Sequence, residues 1–172
     1  MRNSIILVIC IFVSFGLQAQ LNPQSKKITK KFFPDSESLL PITPALKKKR
    51  GYTNYSELIN FINELKESHP SVVSIQYIGE SQKGYNIPVV HIKTTNSSEK
   101  IKIWMQAGLH GNEPAGTEGL LYYMHSILND ANYDKLLHGV DLLILPMANI
   151  DGYLKDNRYA ANGLDLNRDQ TK

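Results

Sequence analysis

His110 and Glu113 stand three residues apart at the end of the run Ile-Lys-Ile-Trp-Met-Gln-Ala-Gly-Leu-His-Gly-Asn-Glu, residues 101–113. An imidazole nitrogen and a carboxylate oxygen are donors that a zinc ion takes at about 2.0–2.2 Å, so a rigid turn aiming both the same way can share one cation. The run begins as an alternating and then apolar stretch and ends in small residues. Pro114 and a long apolar-periodic segment follow it. That pattern reads as strand, tight turn and helix start, which puts the pair at the carboxyl edge of a sheet, where open α/β folds place their sites. Gly111 is expected to let the backbone turn tightly between the two. A His and a Glu at this spacing also recur by chance, as a surface turn with a helix-start carboxylate, so the context has to decide.

A second polar group lies downstream. From Asn149 the chain loses its periodicity and reads Asn149-Ile-Asp-Gly-Tyr153, then Asn157-Arg158-Tyr159, then Asn162-Gly-Leu-Asp165-Leu-Asn167-Arg168-Asp169. A long irregular segment leaving a strand is where functional groups collect. Arg158 and Arg168 carry the chemistry, because a guanidinium is a planar fork that grips a carboxylate with two parallel hydrogen bonds. Taken singly, each would read as half of a surface ion pair.

The elements that must hold these groups follow from periodicity. Asn54 and Glu57 have capping-box spacing, with Asn in place of Ser or Thr. Tyr55, Leu58, Ile59, Ile62 and Leu65 then repeat at helical spacing until Pro70. His69 caps that end. Residues 72–79 and 87–94 read as strands of an antiparallel hairpin joined by a turn at 80–85, with His91 a sheet residue rather than a ligand. Residues 96–100 read as a polar loop and 101–107 as the third strand. Leu120, Leu121, Met124, Ile127 and Leu128 mark a helix over 114–129, with Pro114 in its first turn. His125 falls on its surface or core edge, and His138 in the loop after it. Residues 140–146 form a fourth strand, apolar enough to be buried on both faces. Strand, helix, strand at this spacing is a right-handed parallel crossover. The fold class is therefore α/β: a mixed sheet with an initial antiparallel hairpin and parallel strands joined by a crossover helix.

The 172 residues suffice for one domain, and 42% hydrophobic with 20% charged residues is an ordinary globular composition. A net charge of +3 is too small to imply nucleic acid. Residues 1–19 read as a secretory signal, with Arg2, an apolar stretch from Ser4 to Leu17 and Ala19 before the cleavage point. The stretch is short for a bilayer of about 30 Å, so an exported (periplasmic or secreted) protein with no stable membrane span is expected. The single cysteine, Cys10, lies within it, which leaves only His, Asp and Glu as metal ligands. Residues 20–50, rich in Lys and Pro, read as a basic extension or pro-segment rather than a core element. The folded domain is expected over 51–172.

Taken in order, the His-Gly-Asn-Glu and Asn-x-Asp-Gly-Tyr motifs, an arginine shortly after, and Asn-Gly-Leu-Asp-Leu-Asn-Arg resemble the M14 zinc metallocarboxypeptidase family. Residues 52–84 are similar to that family's opening segment. The resemblance implies one zinc ion with His110 and Glu113 as its first two ligands, in the His₂Glu arrangement of which carboxypeptidase A is an example. It implies Asp165 as the carboxylate that orients the ligand histidine, Asn167 and Arg168 as the grip on a substrate's terminal carboxylate, and Arg158 as the catalytic cation facing the oxyanion. The implied substrate is a peptide or peptide-like molecule with a free C-terminal carboxylate. There are departures. Asn112 stands where digestive-type enzymes have Arg, Ile150 replaces Pro, Tyr85 follows Gly84 in place of Arg, and Asp169 replaces Asn. The family's third ligand, a His, and its general-base Glu fall further along than Lys172, and His125 and His138 are too near Glu113 to serve. The chain is thus expected to be an N-terminal portion, inactive alone. Two other readings stay open: a deacylase or amidase of the aspartoacylase-like group, and a non-catalytic carboxylate-binding module.

Overall fold

A computed structural model describes residues 25–32, 40–94 and 99–169. The signal-like segment 1–19 with Cys10 and most of the 96–100 loop lie outside the described residues. The chain forms two compact units divided between Leu39 and Leu40. In the first, Lys26–Phe32 is a seven-residue helix, α1, where the sequence reading had only an unpatterned extension. The second unit starts before residue 51: Thr43 is buried, and Lys48 Nζ donates to both carboxylate oxygens of Glu57 (2.6 and 2.9 Å) and to the Tyr52 carbonyl.

Tyr55–Ser68 forms α2, and the expected capping box is present: Asn54 Oδ1 accepts from the Glu57 N–H, and Glu57 Oε2 accepts from the Asn54 N–H. His69 closes the helix, its N–H donating to the Leu65 carbonyl. Val73–Glu80 (β1) and Asn86–Ile92 (β2) are the antiparallel hairpin. Ile101–Gln106 (β3), Ala115–Asn129 (α3) and Val140–Leu145 (β4) form the crossover, with β3 and β4 parallel in register from Ile101↔Val140 to Gln106↔Leu145. The sheet order is β1-β2-β4-β3, so β4 is central and pairs antiparallel with β2. Its nearly uniform burial matches that position. His138, expected in a loop, instead sits in a short helix, Asp134–Gly139 (α4), which follows a single 3-10 turn at Ala131–Tyr133. Among the described residues no helix is long and apolar enough to cross a membrane.

One face of the sheet carries the core. Val73, Val90, Ile92, Val140, Leu142 and Ile144 pack with Leu58, Phe61 and Ile62 of α2 and Leu121, Met124 and Ile127 of α3. Each such side chain contributes about 1.5–3 kcal/mol by leaving water. That packing fixes β3 and α3 against β4, and so fixes the turn between them. His91 is a sheet residue, as expected, and its Nε2 pairs with Asp141 on β4.

Two outcomes follow from the start of α2. Asn54→Ala should cost about 1 kcal/mol, read as a lower denaturant midpoint at unchanged slope. The Lys48 hydrogen bond, set against a smaller effect of burial, holds the Glu57 carboxyl below its ordinary value. Its stabilisation is full above the ordinary carboxylate range and is lost as pH falls through the depressed value. Glu57→Gln should therefore flatten the acid limb of an equilibrium pH-stability curve while leaving its alkaline side unchanged in shape.

Candidate metal centre

The β3–β4 ladder runs past both strand ends. The Ala107 N–H donates to the Leu145 carbonyl, the Ala148 N–H to Ala107 and the Asn149 N–H to Gly108, all within 3.0 Å. Gly108 takes a positive φ of 64°, with Thr117 Oγ1 at 3.0 Å from where a Cβ would lie. Thr117 Oγ1 in turn donates to the Pro146 carbonyl at 2.7 Å. These bonds tie the turn that carries His110 to the chain leaving β4.

Gly111 corrects the sequence reading. The positive φ of this turn belongs to Gly108, and what requires glycine at 111 is contact. A Cβ there would strike backbone atoms of Gly152, Tyr153 and Asn157. Gly152 is crowded from its own side, where a Cβ would meet Asn149 Nδ2, Tyr159 O and Asn157 O at 2.5, 2.6 and 2.7 Å. The two main chains touch with no side chain between them.

The segment after β4, expected to be irregular throughout, begins with one helical turn, Ile150–Tyr153 (α5), capped by Asn149 Oδ1 on the Gly152 N–H at 3.0 Å. It ends with the Asp156 N–H on the Tyr153 carbonyl and the Asn157 N–H on the Gly152 carbonyl. Those are the two bonds of a Schellman motif. Asp156 takes the left-handed conformation, φ 49°, at its reversal point. The reversal sends Arg158 back toward His110. Asp151 has no part in the site: its carboxylate accepts from Ser81 Oγ (2.8 Å) and the Lys83 N–H (3.2 Å), pinning the β1–β2 turn to α5.

Four of the six residues singled out from the sequence meet. His110 Nδ1 lies 3.1 Å from Glu113 Oε1, and its Nε2 lies 3.2 Å from Asp165 Oδ1. Arg158 Nε donates to Asp165 Oδ2 at 2.9 Å, and its Nη1 is 3.7 Å from Glu113 Oε1. The His110 side chain is 10% exposed and that of Glu113 61%, so the imidazole is rooted in the protein and the carboxylate reaches out from it. Asn167 and Arg168 follow on the same turn but do not join the cluster. The Asn167 N–H donates to Asp165 Oδ1, and the exposed Arg168 donates to the carbonyl of Asn167. Beside the cluster a cleft of about 620 Å³ is lined by Tyr52, Gln106, His110, Glu113 and Pro114 among others.

Asp165 favours a hydrogen on the near nitrogen of His110. Burial pushes the Asp165 carboxyl up, but the hydrogen bonds from Arg158, the Asn167 N–H and His110, with the Arg158 charge, together hold it below the usual carboxylate range. An ionised carboxylate only accepts, so it calls for a hydrogen on Nε2 of His110, and in the singly protonated form of the ring Nδ1 carries the lone pair. The Nδ1 lone pair then faces the Glu113 carboxylate. Two acceptors 3.1 Å apart cannot bond each other; they need a shared cation or proton. Two donors each about 2.1 Å from one ion would stand roughly 3 Å apart, so the donor set and its spacing fit a divalent cation. Among the described residues no group of three or more His, Cys, Asp or Glu is placed to hold a metal, so this half-site offers two protein donors. His125 lies elsewhere, lining a separate cavity with His69.

The sequence reading missed Asn149 as a connector, and missed Glu118. The Glu118 carboxylate accepts from the Thr53 N–H (2.7 Å) and Oγ1 (2.8 Å) and from Tyr153 OH (3.3 Å). Burial and the neighbouring Glu118 charge push the Tyr153 hydroxyl above its ordinary pKa. An Asn just past a buried strand and ahead of Asp-Gly is a cap signal that could have revealed Asn149. Nothing local in the sequence marks Glu118.

Comparison with known proteins identifies the family. The profile of the zinc carboxypeptidase family, Peptidase_M14, matches residues 58–171. Carboxypeptidase 2 of Trichophyton rubrum is 31% identical over 129 residues, which are 71% of this chain and 24% of that protein. Carboxypeptidase E of Caenorhabditis elegans is 32% identical over 138 residues, covering 69% of this chain and 29% of its own length. The crystal structure of carboxypeptidase A from Helicoverpa armigera superposes with a TM-score of 0.59 at 30% identity, over 62% of this chain and 28% of that one. The chain thus spans about a quarter of the length of the curated relatives it matches.

The glycine contacts give opposite expectations for one substitution. Gly111→Ala places a methyl against rigid backbone and should cost about 3 kcal/mol or more. Gly119→Ala, on the exposed side of α3 with nothing within 4 Å, should stabilise by about 0.5–1 kcal/mol. Paired urea melts of the two variants against the parent check both signs.

Proposed function

This chain belongs to the zinc carboxypeptidase family, and from that premise we propose that the protein is a metallocarboxypeptidase, hydrolysing the last amide bond of a peptide or peptide-like substrate beside a free carboxylate. The observation that carries the reading is the pair of facing acceptors, His110 Nδ1 and Glu113 Oε1, with the other ring nitrogen held by Asp165. That arrangement can present one nitrogen and one oxygen to a cation.

The residues divide the work. His110 and Glu113 would hold zinc. Asp165 fixes the tautomer that leaves Nδ1 free, as partners of metal-bound histidines commonly do. When bound, the ion supplies Lewis acidity and a water acidified to a pKa of about 7. Arg158, half-buried and tethered at Nε by Asp165, keeps its terminal nitrogens on the Glu113 side, where a cation can meet negative charge developing on a carbonyl oxygen. Arg168 is exposed, bonded through one Nη1 to a main-chain carbonyl, and its guanidinium can turn to grip a substrate carboxylate. The activity, the third ligand and the general base are proposed for the protein as a whole, because the chain spans about a quarter of its curated relatives. Export is proposed as well, on the apolar character of residues 4–17.

The test is kinetic. Chelator treatment of the purified gene product should abolish release of C-terminal amino acids, and added zinc should restore it. Arg158→Ala should lower kcat by about 10²–10³ with little change in KM, because an oxyanion exists only in the transition state. Arg168→Ala should mainly raise KM, and Arg168→Lys should not restore it, because an ammonium cannot form two parallel bonds. If blocking the substrate's terminal carboxylate leaves the wild-type rate unchanged, the carboxypeptidase reading gives way to an amidase.

A further inference from the structure

Asn149 is buried, 4% exposed, and every polar group it has is engaged. Its Oδ1 accepts from the Gly152 N–H at 3.0 Å. Its Nδ2 donates to the carbonyls of Leu109 and Arg158, each at 3.4 Å. Its main-chain N–H donates to the Gly108 carbonyl, and its carbonyl accepts from Tyr153. The amide can be oriented only one way, because Gly152 offers a donor while Leu109 and Arg158 offer acceptors. The Leu109 carbonyl belongs to the peptide unit leading into His110. The Arg158 carbonyl belongs to the residue whose guanidinium meets Asp165 and Glu113. One amide therefore spans the two loops whose side chains make the cluster.

From this geometry we propose that Asn149 is a positioning residue: its Nδ2 sets the spacing between the His110 loop and the Arg158 loop, and so the aim of the metal-binding imidazole relative to the cation across from it. This rests on the metallocarboxypeptidase reading above. The capping role of Oδ1 is separate and would be met by any good cap. The bridging role needs a donor with two hydrogens at that reach, which Asn has and Ser and Asp lack. Both bridging bonds are long, so each is weak. Their effect is on placement, and displacement by about 1 Å at a reacting centre can cost on the order of 10²-fold in rate.

Asn149→Ser and Asn149→Asp separate the two roles, since both keep a side-chain acceptor for the Gly152 N–H and both lose the bridge. On the zinc-loaded gene product, each folded variant should lose about 10- to 100-fold in kcat with KM changed little, and zinc affinity by chelator competition should weaken by about 10- to 100-fold, the range seen when partners of metal ligands are removed. Variants that melt earlier but keep kcat and zinc affinity within about twofold would overturn the proposal and leave Asn149 a structural cap. If neither variant folds, the wild type decides by NMR. The Asn149 side-chain amide should shift when zinc is added and exchange its hydrogens more slowly, and an amide indifferent to zinc overturns the proposal. A wild type that neither binds zinc nor releases C-terminal residues would instead refute the metallocarboxypeptidase reading, a result distinct from either variant outcome.

Discussion

Two stretches of main chain meet at Gly111 and Gly152 with no room for a Cβ on either. Everything in the polar cluster depends on that approach. One stretch leaves β3 and carries His110; the other leaves β4 and carries Arg158. The parallel ladder brings their starting points together, since bonds from Ala107 to Leu145 and from Asn149 to Gly108 continue the pairing beyond the strands. Without the two glycines the loops would part by at least the width of a methyl group, and the contacts that cross between them, His110 to Asp165 and Glu113 to Arg158, would lengthen with them. The glycines contribute no chemistry themselves. They set how close the groups that do can come.

Asp165 is the electrostatic centre of the cluster. It accepts from a guanidinium, a main-chain N–H and an imidazole, and those donors outweigh the cost of its burial. An anion held this firmly favours a hydrogen on the His110 nitrogen that faces it. It also restrains Arg158 at Nε, so one carboxylate orders both a candidate ligand and a candidate catalytic cation. Asn149 does for the main chain what Asp165 does for the side chains, and Asp151 carries the connection outward to the β1–β2 turn through Ser81.

The sequence disclosed much of this because its signals were physical ones. The α2 capping box, the hairpin and the β3–α3–β4 crossover follow from side-chain periodicity, and the structure contains each of them. The family resemblance rested on polar motifs placed after strands, and His110, Glu113, Asp165 and Arg158 do converge. What stayed hidden depends on contacts between residues distant in the chain. The steric demand at Gly111 comes from residues 152–157, so no local pattern could reveal it, and the turn was credited to the wrong glycine. The Glu118–Thr53 bonds join positions 65 residues apart. The burial of Thr43 needs a partner surface that composition does not announce. His138 joined a helix that a short run after a 3-10 turn barely signals.

The sheet order has a kinetic consequence. The β1–β2 hairpin closes between residues near in sequence, but β2 finds its second neighbour only at β4, pairing Val90 with Ile144. Loop-closure entropy makes such distant pairings slow relative to local ones. His110 and Asp165 are 55 residues apart, and Asp165 lies beyond β4, so the imidazole can reach its oriented form only after the central strand has docked. The hairpin and the two long helices can form early and locally. The cluster depends on these longer-range closures, and any ion held there would act as a thermodynamic clasp on the folded arrangement, drawing the equilibrium toward it by mass action.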